Sequence, residues 1–289
     1  MKQFNKLKRP SWILQKPRNF EKLWLDKNEN THPKLQNLYK KILKKINPIH
    51  ISSYPELGSL YKKISLYEKI SSKNIIFGHG SDGCIKNIFE AFTKKDQTIL
   101  TLSPTFAMYD IYPKIFGLKE YNFNYNFSTK GPFLNFKKLL NKIKQKKPKL
   151  VCIANPNSPT GTIIENYRIL KLIKVCKKLK CFLLIDEAYY GFSEETSKGL
   201  IKKFDNIFIV RSLSKAWGLA GLRLGYIISN KKNIIVFNKI RPMYEINTFG
   251  AEFLKVLLNK KYLSKLDIIL KDMKQAKNIF YKFLKKNKI

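Results

Sequence analysis

The stretch SLSKAWGLAGLRLG (212–225) decides how this chain reads. It follows an apolar, strand-like run, IFIV (207–210). Ser212 and Ser214 alternate just ahead of Lys215, and Arg223 follows eight residues later. A lysine amine that must bond a cofactor needs such a setting, with hydroxyls and a guanidinium to hold a phosphate. A lysine alone says little in a chain with 57 Lys and Arg, of which only six are Arg. In isolation it reads as a solvated surface residue. The neighbours of Lys215 are apolar or small, whereas Lys-rich surface segments here look like KKLLNKIKQKKPK (137–149).

Outward from this stretch, short apolar runs recur: NIIFG (74–78), TILTL (98–102), KLVCIA (149–154), CFLLID (181–186), IFIVRS (207–212) and LGYIIS (224–229). They have strand length and many β-branched residues, as buried strands covered on both faces do. Helical patterns lie between them, for example over 83–94 and 165–180. The alternation predicts an α/β fold with a mostly parallel central sheet and helices on both faces. The expected organisation is an N-terminal arm with part of a small domain over 1–44, a large domain over 45–235, and a helical, Lys-rich small-domain segment over 236–289.

With 289 residues, 44% of them hydrophobic, the chain can bury a sizeable core. Its formal charge of +37 raises the question of nucleic acid, whose phosphates reward clustered Lys and Arg. The lysines are spread along the whole chain, however, and arginine, the better base reader, is scarce. No zinc-finger spacing, RNA-recognition signature or basic heptad helix occurs. The excess of Lys, Asn and Ile reads as a compositional bias, so nucleic acid is not the expected partner. The four cysteines form no CxxC pair and the three histidines have no metal-ligand spacing, so no metal is expected. The N-terminus, MKQFNKLKRPSW, lacks an apolar signal core, and no stretch reaches the ~18 apolar residues of a membrane span. A reduced, soluble, cytoplasmic protein is the expectation.

Four loops carry candidate chemistry. In FGHGSDGCIKNIFEAF (77–92), Gly80, Ser81 and Asp82 stand where a strand gives way to a helix, and free N–H groups there suit an anion. Gly78, Gly80 and Gly83 also fit G-x-G-x-x-G, but the acid that a dinucleotide site wants after the next strand is missing: Asp96 precedes TILTL. SPTFAMYDIY (103–112) reads as a Pro-containing turn entering a helix, with Phe106 and Tyr112 as core contacts. Tyr109 is either one more of these or a ring that stacks on an aromatic cofactor. ANPNSPTGT (154–162) is a tight turn after a strand, and loops at strand carboxyl ends are where open α/β sheets bind ligands. LLIDEAYYGF (183–192) puts Asp186 at a strand end, as a helix cap or as a carboxylate that keeps a ring nitrogen protonated. Tyr189 is spaced to donate to a ring oxygen.

Taken together, LDKNENTHP (25–33), YPELGSLYKKIS (54–65), GHGSDG (78–83), SPTFAMY (103–109), NPNSPTGT (155–162), DEAYYGF (186–192) and SLSKAWGLAGLRLG (212–225) resemble one family. They are similar to the fold-type-I pyridoxal-phosphate-dependent aminotransferases, and among these to the histidinol-phosphate aminotransferases (class I/II). The resemblance runs from about residue 20 to 255. It implies pyridoxal 5'-phosphate as cofactor, with Lys215 forming the internal aldimine and later moving the substrate proton. It implies that Asp186 holds the pyridine nitrogen, Tyr189 contacts the ring oxygen and Tyr109 stacks on the ring. The phosphate would be held by the amides of Ser81 and Asp82 behind Gly80, with Ser212, Ser214 and Arg223. Tyr54 would reach the phosphate of the neighbouring subunit in a homodimer. Asn30 would lie in the arm that approaches the substrate. The implied substrates are an amino donor such as histidinol phosphate and a 2-oxo acid such as 2-oxoglutarate.

Two departures stand out. The family pattern has Asn immediately before Pro-Thr-Gly, bonding the ring oxygen; this chain has Ser158 there, with Asn157 before it. That bond is therefore weaker, indirect or made by Asn157. The family also runs on beyond the length of this chain, through the part that carries the arginine for the substrate carboxylate. RPMYEINTFGAEFL (241–254) offers Arg241 and Tyr244 as substrate-side residues, although Arg241 also reads as a helix-start surface residue. The sequence leaves several functions open: this aminotransferase activity, the same chemistry on another substrate, a threonine-phosphate type of decarboxylase, or a truncated cofactor-binding remnant without catalysis.

Overall fold

Successive side chains of a strand point to opposite faces of its sheet, and in this chain both faces are apolar. The computed structural model describes residues 7, 9–19, 21–22, 24–193 and 195–287. The strands are β1 (Ile75–His79), β2 (Thr98–Ser103), β3 (Lys119–Asn124), β4 (Asn126–Ser128), β5 (Gly131–Phe133), β6 (Leu150–Ala154), β7 (Phe182–Glu187), β8 (Ile207–Ser212) and β9 (Leu224–Ser229). The helices are α1 (Pro33–Leu43), α2 (Ile49–Ser52), α3 (Gly58–Glu68), α4 (Gly80–Phe92), α5 (Met108–Ile115), α6 (Phe136–Lys146), α7 (Asn166–Lys178), α8 (Lys231–Ile240), α9 (Thr248–Leu257) and α10 (Lys260–Lys286).

β4 and β5 form a hairpin, and the other strands make one sheet in the order β1-β9-β8-β7-β6-β2-β3. From β3 to β8 neighbours run parallel; β9 lies antiparallel to both β8 and β1. Leu183, Ile185, Ile207 and Ile209 enter one core, shared with α1, α3, α6, α7, α9 and α10. Leu184, Phe208 and Val210 enter the other, shared with α4, α5 and α8. Hence the strands read as unbroken apolar runs. Each buried Leu, Ile or Phe side chain contributes roughly 1.5–3 kcal/mol. Phe92, Phe182, Phe208 and Phe237 add ring contacts with centroids 4.6–5.8 Å apart.

The helices follow from local spacing. α7 buries Ile169, Leu172, Ile173 and Cys176, a single helical stripe. α6 starts at Asn135, whose side chain accepts from the Lys138 N–H, and ends at Lys147 in the left-handed region, just before Pro148. α9 packs on α1 and α3, and α10 on α1 and α9. Two elements depart from the sequence expectation. β3, KEYNFN, is an edge strand that turns only Tyr121 and Phe123 to the core, and its backbone pairs with β2. α4 begins at Gly80 instead of 83, so the glycine loop is itself the first turn of the helix. Among the described residues, no helix is long and apolar enough to cross a membrane.

Candidate active site

The carboxyl ends of β6, β7 and β8 open onto one cavity of about 420 Å³. Strand alternation decides what enters it. Asp186 and Ser212 line the cavity, while Glu187 and Arg211, their chain neighbours, point to the other face.

Asp186 is 4% exposed. Its Oδ1 accepts from the Ala188 N–H at 3.0 Å and its Oδ2 from the Tyr109 hydroxyl at 3.1 Å. Burial pushes its pKa up to about 6; the two donors oppose that shift, and the nearby Glu187 and Asp82 charges add to it. A cationic ring nitrogen beside it would favour the ionised form.

Another part of the cavity wall is built for an anion. α4 springs directly from β1, and its N-cap, His79, makes no side-chain capping bond. First-turn N–H groups have no partner within a helix, and Ser81 and Asp82 stand at the cavity wall. Ser212, Ser214 and Arg223 line the same cavity. Two glycines make this convergence possible. A Cβ on Gly80, whose φ is +71°, would lie 2.7 Å from Arg223 Nη2. A Cβ on Gly225 would lie 2.4 Å from both Gly80 C and Ser81 N.

In the same cavity, Lys215 Nζ donates to the Lys27 carbonyl at 2.7 Å and stands 5.9 Å from the centre of the Tyr189 ring. The Tyr189 hydroxyl accepts from Asn28 Nδ2 at 2.9 Å and faces Ser158 Oγ at 3.4 Å. Lys27 and Glu29 of the arm thus line this cavity, and Asn28 reaches its Tyr189. These side chains suit a ligand that carries a phosphate, a basic ring nitrogen and a carbonyl.

The family model for class I and II aminotransferases matches residues 21–289. The chain belongs to this family. It is 34% identical over 242 residues to the histidinol-phosphate aminotransferase of Clostridium novyi (strain NT), covering 83% of this chain and 66% of that protein. It is 35% identical over 228 residues to that of Caldanaerobacter subterraneus subsp. tengcongensis, covering 78% and 63%. The chain therefore spans slightly less than two thirds of the length of these relatives. Among solved structures, histidinol-phosphate aminotransferase from Sinorhizobium meliloti in complex with pyridoxal-5'-phosphate superposes with a TM-score of 0.70 at 21% identity, over 84% of this chain and 66% of that one.

Against the pattern of this aminotransferase family, the structure gathers Ser81, Asp82, Ser158, Asp186, Tyr189, Ser212, Ser214, Lys215 and Arg223 around one cavity. Gly80 lies behind them, against Arg223. Tyr109 is placed differently. It is 1% exposed and sits behind Asp186 as a hydrogen-bond donor, so it has no free face to stack on a ligand. Phe106, expected in the core, is 40% exposed and lines the cavity. No sequence signal separates the two rings; helix geometry does, because Phe106 precedes α5 and Tyr109 lies within it.

Asn157 is also engaged elsewhere. Its amide donates to the Pro104 carbonyl and to Thr160 Oγ1, and its oxygen accepts from Thr105. It braces the turn, and Ser158 faces the cavity. Asn30 is buried; its Nδ2 donates to the Ala216 carbonyl at 2.8 Å and to Met273 Sδ at 3.2 Å. It lines a second cavity of about 430 Å³ that shares Glu29, Pro156, Ser158 and Tyr189 with the first. Tyr54, Arg241 and Tyr244 lie outside both cavities. Tyr54 stacks on Tyr244 with centroids 4.4 Å apart, and Arg241 pairs with Glu245 at 2.9 Å. Lys27 and Asn28, within LDKNENTHP, carry no distinctive residue type in a Lys- and Asn-rich chain.

Proposed function

We propose that this chain is a pyridoxal-phosphate-dependent aminotransferase. In this proposal it moves an amino group between an amino compound resembling histidinol phosphate and a 2-oxo acid such as 2-oxoglutarate. One observation carries the proposal: an amine, a buried carboxylate and a phosphate cradle converge on a single cavity. Membership of the family and similarity to named histidinol-phosphate aminotransferases support it.

When bound, pyridoxal phosphate supplies an electron sink for a carbanion beside the amino carbon. Arg223, Ser212, Ser214 and the first-turn N–H groups of α4 hold its phosphate. Asp186 bonds the ring nitrogen and keeps it cationic. Phe106 offers an aromatic face to the ring. Tyr189 and Ser158 offer hydroxyls to the ring oxygen. Lys215, as a free amine, takes and returns the proton at the substrate Cα. Lys27 and Glu29 of the arm limit water in the cavity.

The large cofactor-binding part is 45–235, with the whole central sheet inside it. A second copy completes the assembly. Tyr54 is 75% exposed and does not line its own cavity, as a residue meant for a partner's phosphate would not.

The test is product analysis with pyridoxal phosphate, histidinol phosphate and 2-oxoglutarate. Formation of glutamate supports amino transfer. Release of carbon dioxide from O-phosphothreonine without glutamate would replace it with decarboxylation. Neither product from cofactor-loaded protein would refute both.

A further inference from the structure

Directly behind the cavity, on the other face of the sheet, lies a closed group of charges. Arg211 and Glu187 are register partners across β8 and β7, and their side chains meet at 2.9 Å. Both are 1% exposed, and Glu68 on α3 is 0% exposed. Glu68 Oε1 lies 3.7 Å from Arg211 Nη1 and accepts from the Tyr226 hydroxyl at 2.5 Å. Lys198 supplies a second cation, 2.7 Å from Glu68 Oε2, so the group is neutral as a whole.

The same group holds the chain that leaves β7. Arg211 Nη2 donates to Thr196 Oγ1 at 2.8 Å. Glu187 accepts from the Thr196 hydroxyl at 2.8 Å and the Ser197 N–H at 2.7 Å. The Tyr190 ring centre is 3.3 Å from the guanidinium carbon.

A buried ion group is weak evidence for net stability, but removing one member leaves a charge unpaired in a dry site. The placement of this group gives it a further role. Glu187 follows Asp186, Arg211 precedes Ser212 and Tyr190 follows Tyr189. Glu187, Arg211 and Tyr190 are each the chain neighbour of a residue that lines the cavity.

We propose that Arg211 is a positioning residue for the cavity: by pairing with Glu187 and Glu68 it fixes where Asp186, Tyr189 and Ser212 stand and balances the charge next to Asp186, a role that rests on the cofactor assignment above. Without Arg211, whatever charge Glu187 keeps in its buried site would act unopposed on Asp186, one residue away. It would push that group towards its neutral form, the wrong partner for a cationic ring.

The experiment measures the dissociation constant for pyridoxal phosphate, by the visible absorption of apoprotein during titration, together with Tm. It uses the wild type, Arg211→Met, Arg211→Lys and the double variant Glu187→Gln/Arg211→Met. The expected result is an affinity loss of about tenfold or more in folded Arg211→Met, the scale seen when an outer-shell partner of a ligand is lost. In the double variant, which leaves no unbalanced carboxylate at Glu187, most of that loss should be recovered. A purely structural role would lower Tm and leave the affinity of the folded protein unchanged. An Arg211→Met affinity within about twofold of wild type overturns the proposal. If that variant does not fold, Arg211→Lys decides. One ammonium cannot span both carboxylates, so a weakened affinity is expected and an unchanged one overturns the proposal. Wild-type protein that takes up no cofactor overturns both this role and the cofactor assignment; uptake unaffected by these variants overturns this role alone.

Discussion

The Tyr109 hydroxyl donates to Asp186 Oδ2 at 3.1 Å, with both residues almost sealed from water. This bond explains how a carboxylate with a pKa raised to about 6 is kept aimed into the cavity. It also places Tyr109 beside Asp186 as a hydrogen-bond donor, where the resemblance implied a stacking ring.

Asp186 should make ligand-free stability depend on pH. Its folded value is near 6 against an ordinary 3.8, so the folded state binds the proton more tightly than the unfolded state. Its contribution is fully present below pH 4 and is lost as pH rises through 6. Two pKa units correspond to about 3 kcal/mol. Asp186→Asn cannot ionise. Without ligand it should be more stable than wild type at pH 8 by about 1–3 kcal/mol, with the gap closing at pH 4. Urea unfolding at both pH values checks this, and a gap that does not change with pH would contradict it.

Tyr109→Phe removes one of the two donors to a buried carboxylate. The expected cost at pH 8 is about 1–3 kcal/mol, shrinking once Asp186 is protonated. Infrared detection of the protonated carboxyl should find it persisting to higher pH than in wild type. A ring that mattered only for stacking would leave that signal where it was.

Phe106→Ala should weaken pyridoxal phosphate binding by about 0.5–1.5 kcal/mol, or roughly 2- to 12-fold. Because Phe106 is 40% exposed, Tm without ligand should barely move. An unchanged binding constant would remove Phe106 from the site.

Gly225→Ala places a methyl 2.4 Å from the backbone at Gly80 and Ser81. Overpacking of this kind costs about 1–3 kcal/mol, and here it displaces the start of α4. Affinity for pyridoxal phosphate should fall much further than affinity for pyridoxal, which has no phosphate. Equal losses for both would place the damage elsewhere.

Much of this site was legible because its residues sit where chain geometry is simple. IFIVRS (207–212) and LGYIIS (224–229) are β8 and β9 as read from the sequence. Asp186 and Ser212 follow from the ends of runs that are buried on both faces. β3 was not legible, since in KEYNFN only Tyr121 and Phe123 mark an apolar face and as an edge strand it is held by backbone bonds to β2. The exchange between Phe106 and Tyr109 was hidden for another reason. Which ring faces a cavity depends on where α5 starts, and a Pro-containing turn blurs that start. The Glu68–Arg211–Glu187 group was invisible because its members are far apart in sequence and meet only once α3 lies against the sheet.

The central claim is that Lys215 is the amine to which the cofactor bonds. The direct test is to mix the purified protein with pyridoxal phosphate, record the visible spectrum, reduce with borohydride and map the modified residue by mass spectrometry. Lys215→Ala serves as the control. The expected result is a yellow band, its loss on adding glutamate to unreduced protein, and a modification confined to Lys215. A modification scattered over the many surface lysines, with the same spectrum from Lys215→Ala, would contradict the claim.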